Sequence, residues 1–273
     1  MIETISIVFY LISIVSYLAA FGIFLSRFSS DKDTSPYGNR LLMIGLVFQI
    51  VSFGLRYIST GMTLSFHPYE VIQAITLILV AEALLVEFFS GVQILGLYIS
   101  PIASMLLLAG WFNYHQPQVA TGILKSNWVI THATLVFLSY GAFIISAGFS
   151  LLYLVQEKQV KDKNTTGLMR FLPSLKALEE TSFRAAAIGF TLLSVSLIMG
   201  IIYASKFWHV WDMTMIVSAG VMWAVFLFYL FSRIRLGWMG RKSSYVALIG
   251  LLTVLIMHFI VIQYLTKIHI YGG

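Results

Sequence analysis

The sequence predicts an all-α, polytopic integral membrane protein with about eight transmembrane helices and both termini facing outward. Three observations predict it. The chain is 59% hydrophobic and only 10% charged over 273 residues, with a mean hydropathy of +0.89, and a water-soluble domain cannot hide that much apolar surface. The apolar residues fall in runs long enough to cross a bilayer as helices, without the alternation of barrel strands. Lys and Arg gather in three loops that lie on one side when the runs are counted as eight.

The first run covers about Ile5 to Ser26, and a polar loop with Arg27, Lys32 and Arg40 follows it. The second spans Leu41 to Ser59 and the third about Tyr69 to Phe89. Ser90-Gly91 forms a tight turn into the fourth, which reaches Trp111. A wetter segment with His115, Pro117 and Lys125 leads to the fifth run, from near Trp128 to near Gln156. The longest polar stretch, Glu157 to Arg184, carries Lys158, Lys161, Lys163, Arg170 and Lys176. The sixth run ends near Ser205, the seventh covers Met213 to Phe231, and a basic turn holds Arg233, Arg235, Arg241 and Lys242. The eighth runs from about Tyr245 to Thr266.

Positive charge is retained on the cytoplasmic side of a membrane, so the basic loops are expected to be cytoplasmic. The localisation expected is a bacterial plasma membrane. The net charge of +6 is explained by this topology and not by nucleic-acid binding. The absence of Cys excludes disulfides, thiolate catalysis and Cys-ligated metals. No cleavable signal peptide is evident, because the first run is long enough to span. No nucleophile, base and orienting residue form a visible set, so an enzyme is not the expected class.

This topology gathers five of the six His, namely His67, His115, His132, His209 and His269, at or near the outer face. His258 lies inside the eighth run. The connector Phe207-Trp208-His209-Val210-Trp211-Asp212 falls on the same face. A Trp-rich loop there is either an aromatic belt at headgroup depth or a shelf for a large planar ligand. Two neutral imidazoles facing each other can ligate haem iron axially. His132 and His269 share a membrane level with Trp208 and Trp211, and Lys206, Lys267 and Arg56 are candidate partners for propionates by level. From spacing alone, interfacial His that bond to headgroups or neighbours, or a zinc site, stay open.

Several stretches in order carry a resemblance. Thr131-His132-Ala133 with Leu138-Ser139-Tyr140-Gly141-Ala142 resembles the start of a haem-ligand helix in the CcsA/HemX family of cytochrome c assembly and haem-handling membrane proteins. Glu179-Glu180-Thr181-Ser182-Phe183-Arg184 with Ile188-Gly189-Phe190 resembles the family's next helix, and Trp208 to Asp212 its tryptophan-rich loop. Trp223, Phe228-Tyr229-Leu230, Gly237-Trp238, Gly240-Arg241-Lys242 and the closing His269-Ile270-Tyr271-Gly272 continue it. Tyr69-Glu70 is similar to a Tyr-Glu pair that opens an earlier span. The resemblance covers residues 127–273 well, as a haem-handling core within one transmembrane domain, and the first half in general layout.

The resemblance implies haem b bound at the outer face, with His132 and His269 on the iron. Trp208 and Trp211 would stack on the ring, Asp212 would brace the loop, and His209 is an alternative ligand. In the assembly branch the haem is presented to a Cys-x-x-Cys-His apoprotein with a ResB-type partner. In the HemX branch the role is control of haem synthesis through glutamyl-tRNA reductase. Two departures favour HemX. Asp212 is followed by Met213-Thr214-Met215 where the family continues Pro-Lys-Glu, and Phe231 stands where a second intramembrane His would fall. Two other classes compete: a transporter or channel with a polar path at Glu82 and His258, and a regulator that docks a cytoplasmic partner on the Glu157–Arg184 stretch.

Overall fold

The computed structural model describes residues 1–26, 35–60, 67–91, 94–117, 126–163, 172–207 and 213–257, all helices and short connections. Eight helices are present among these residues. They are α1 (Ile2–Ser26), α2 (Ser35–Ser59), α3 (Pro68–Ser90), α4 (Leu95–Trp111), α5 (Asn127–Lys161), α6 (Leu175–Phe207), α7 (Met213–Ile234) and α8 (Arg241–Leu255). All but α4 and α8 are long and apolar enough to cross a membrane. The chain divides into two compact units, Met1–Ser126 and Asn127–Gly273.

In the first unit α1 packs on α2 and α4, and α3 on α2 and α4. Close approach depends on small residues beneath large ones. The ring of Phe24, 2% exposed, lies where a Cβ on Gly96 or Gly38 would stand, 2.1 and 2.7 Å away. The interior is unusually polar for an apolar bundle. Ser6 and Ser52 donate to each other's carbonyls at 2.9 Å, and Gln73 Nε2 donates to Ser52 Oγ at 3.0 Å. Gln49 Nε2 donates to the Gln73 carbonyl at 2.9 Å, and the Tyr17 hydroxyl to Gln49 Oε1 at 2.6 Å. Lipid offers no hydrogen bonds, so polar side chains in spans bond across helices and act as glue. The predicted turn is present. Gly91, at φ +69°, caps α3 by donating to the Glu87 carbonyl at 2.9 Å.

In the second unit α5 packs on α6 and α8, and α7 on α6 and α8. Tyr140, Phe143, Leu193, Met222, Phe226 and Val254 form its core. Helices α5 and α6 extend beyond the runs expected from hydropathy, into the basic polar stretch. Lys161–Glu157 and Lys176–Glu180 pair at i,i+4 there, a spacing that supports a solvated helix. Ser174 Oγ accepts from the Ala177 amide at 3.2 Å and opens α6. Glu179 Oε1 accepts from Arg233 and from the Gly240 amide, which ties α6 to the turn between α7 and α8. Arg233 also lies over the Phe183 ring, 4.9 Å from its centroid.

Candidate functional site

The described part of the site lies between α5 and α6. His132 sits in the second turn of α5, half-buried. Its Nδ1 is 2.9 Å from the Ser196 carbonyl oxygen and 3.0 Å from Ser196 Oγ. The same hydroxyl donates to the His132 carbonyl at 3.2 Å. Ser196 is 1% exposed. One turn further along α6, Gly200 faces the ring. A Cβ there would stand 3.0 Å from His132 Cε1 and 3.9 Å from Nε2. His132 Nε2 has no hydrogen bond among the described residues. Trp128, one turn earlier on α5, donates from Nε1 to the Met199 carbonyl at 3.0 Å, so α5 is held to α6 one turn before the imidazole as well as at it.

Below this level the second unit is aromatic. Trp223 Nε1 donates to Ser194 Oγ at 3.0 Å, and the Trp223 and Phe190 ring centroids are 5.5 Å apart. Tyr140 donates to Met222 Sδ at 3.7 Å. These contacts complete the polar tips of aromatic side chains inside an apolar core. Trp208, His209, Trp211, Asp212, His258, Lys267 and His269 lie outside the described residues. Lys206, in the last turn of α6, is exposed.

Arg56, read from its level as a partner for propionates, has other partners. It is 2% exposed. Its Nε donates to Glu70 Oε1 at 2.8 Å, Nη2 donates to the His115 carbonyl at 2.8 Å, and Nη1 is 3.6 Å from Glu3 Oε1. The rings of Tyr69 and Tyr114 flank the guanidinium, with centroids 5.1 and 5.4 Å away. Tyr114 donates to Glu3. His115 Nε2 is 3.7 Å from Glu70 Oε1, and the His67 and His115 ring centroids are 4.3 Å apart. Burial holds the His115 imidazole below its ordinary pKa, with His67 and Arg56 acting in the same direction and Glu70 against them. This cluster joins α1, α2, α3 and the segment after α4 within the first unit.

For the rival path, Glu82 is half-buried on α3 with an Oε2 that has no hydrogen-bond partner among the described residues. Among the described residues, no group of three or more His, Cys, Asp or Glu is placed to hold a metal ion. Sequence reading missed Ser196 and took Gly200 only as a small residue that allows close helix packing. Their spacing of four puts them on one helix face, but a Ser and a Gly in an apolar helix carry no signal until the His132 ring is seen against them.

The family described as cytochrome C assembly protein matches residues 64–269. The chain belongs to that family. The match takes in α3 and α4 as well as the second unit, so the family pattern begins well before Asn127. The cytochrome c biogenesis protein CcsA of Guillardia theta is 28% identical, over 96% of this chain and 92% of that protein. Protein HemX of Brevibacillus brevis is also 28% identical, over 90% and 92%. The CcsA of Prochlorococcus marinus is 26% identical, over 86% and 81%. Near-full coverage by proteins of both names makes this chain similar to both branches of the cytochrome c assembly family.

Proposed function

We propose that this protein binds haem b at the outer face of a bacterial plasma membrane and handles it in cytochrome c assembly or in control of haem synthesis. The observation that carries the reading is His132. In a chain of the cytochrome c assembly family, it is bonded through Nδ1 alone among the described residues and leaves Nε2 for a ligand. A neutral imidazole held by its other nitrogen is how proteins present His to iron. The residues present therefore fit an axial ligand. His269 would supply the second imidazole, Trp208 and Trp211 the stacking faces, and Asp212 the brace, with His209 as the alternative ligand. A bound haem would supply the group delivered to an apocytochrome or the ligand sensed. The partner is a ResB-type assembly protein in the first case and glutamyl-tRNA reductase in the second. Similarity to a protein named HemX over 90% of this chain supports keeping both.

The test is an absorption spectrum of the purified protein supplied with haem, before and after dithionite. The expected result is a sharp reduced α-band of the bis-His b type, lost in His132→Ala and in His269→Ala and kept in His115→Ala. Haem binding that survives the double substitution of His132 and His269 sinks the reading.

A further inference from the structure

We propose that Ser196 and Gly200 are positioning residues for His132: together they fix which imidazole nitrogen is offered to a ligand and leave room on α6 for the ring in that orientation. This deepens the haem reading of the same site and rests on it for the identity of the ligand. The geometry of the imidazole stands without it.

The Ser196 carbonyl oxygen lies 2.9 Å from Nδ1, and a carbonyl can only accept. Nδ1 therefore carries the ring proton. The opposite tautomer would set a nitrogen lone pair against the carbonyl lone pairs in a site where Ser196 is 1% exposed. There the repulsion is poorly screened and the unmade bond costly. The hydroxyl completes the lock. Its oxygen is 3.0 Å from Nδ1 and its proton goes to the His132 carbonyl at 3.2 Å, so one residue of α6 holds both the side chain and the backbone of His132. With the proton on Nδ1, the Nε2 lone pair is the free one. A bond from Nδ1–H to a carbonyl also raises the basicity of Nε2 as a ligand.

Gly200 has the second part. The point where its Cβ would stand is 3.0 Å from Cε1, the carbon between the two nitrogens. A methyl group there meets the ring edge at Cε1, 3.4 Å from Nδ1 and 3.9 Å from Nε2, and a larger group displaces the ring. Ser196 and Gly200 are one turn apart, so one helix face provides both the acceptor and the space.

The experiment is ¹⁵N NMR of the full-length protein labelled on histidine nitrogens, without haem, with His132 assigned by loss of its signals in His132→Gln. Expected is a protonated Nδ1 and an unprotonated Nε2 in the wild type and in Ser196→Ala, which keeps the backbone carbonyl. Gly200→Val should mix the tautomers and weaken haem binding roughly 10–100-fold, with Gly200→Ala between it and wild type. Protonated Nε2 in the wild type overturns the proposal even if haem binds. A wild-type tautomer and wild-type haem affinity in Gly200→Val overturn the role of Gly200. If haem fails to bind any form while Nδ1 is protonated, the haem reading falls and the positioning of His132 stands.

Discussion

Each unit holds a polar site that hydropathy alone would read in the same way, an ionisable side chain near the end of an apolar helix. In the first unit every nitrogen of Arg56 faces a carboxylate or carbonyl oxygen within 3.6 Å. In the second, His132 is bonded at one nitrogen and, among the described residues, not at the other. The difference teaches how to separate structure from function among buried polar groups. A guanidinium bonded through Nε and Nη2 to Glu70 and the His115 carbonyl, and paired with Glu3, joins several helices at once. An imidazole engaged at one nitrogen is oriented and still able to bind.

The largest effect expected from breaking this contrast is on ligand binding in the second unit. His132→Ala should abolish haem binding and leave the thermal melt in detergent within a few degrees of wild type. A melt that collapses with the substitution would show His132 to be structural, like Arg56. Next in size is the reverse experiment. Arg56→Ala leaves Glu70 buried, 4% exposed, without its partner, which costs about 3–5 kcal/mol in comparable buried pairs. Chemical denaturation should show that loss, and the pair Arg56→Met with Glu70→Leu should recover most of it, because both charges are then gone. A double variant as unstable as the single one would count against an uncompensated charge as the cause.

Much of this was legible in the sequence, for physical reasons. Hydropathy exposes an apolar helix directly, so α1 to α7 appear near the expected runs, although α2 opens at Ser35, ahead of the expected Leu41, and takes in Arg40. It misses helix ends that lie in water, and the ends of α5 and α6 are held by Lys161–Glu157, Lys176–Glu180 and the Ser174 cap. His132 stood out as a candidate because its neighbours resemble a family helix. The engagement of Arg56 was not, because Glu70 is fourteen positions away and the His115 carbonyl lies beyond two further helices. Pairing across helices leaves no periodic trace. The polar ladder from Ser6 to Tyr17 is hidden for the same reason, since each Ser, Gln or Tyr reads singly as a tolerated exception in an apolar run.

A smaller effect tests the packing that brings the helices of the first unit close enough for such pairing. Gly96→Ala would place a Cβ 2.1 Å from the Phe24 ring, and forcing a methyl into a packed site costs about 1–3 kcal/mol. The expected loss of stability should be relieved by Phe24→Leu in the same chain. Additive losses in the double variant would mean that α1 and α4 do not meet through this ring.

The smallest effect expected is on the pH dependence of the first unit. His115 lies after α4, faced by Glu70, His67 and Arg56, and burial holds its folded pKa below the ordinary imidazole value of about 6.5. As pH falls through that value the unfolded chain takes up a proton that the folded chain refuses. Stability from this group is therefore complete above about pH 6.5 and lost as pH falls toward the lower folded pKa. Below the folded value both states are protonated and the slope ends. Melts recorded from pH 7.5 to 5 should fall in the wild type and fall less steeply in His115→Gln, with the difference confined to that window. The difference between the two slopes reports His115 together with the groups it faces, Glu70, His67 and Arg56. Parallel slopes would show that its proton uptake is the same folded and unfolded, and that the Arg56 cluster holds its charges without help from a neutral imidazole.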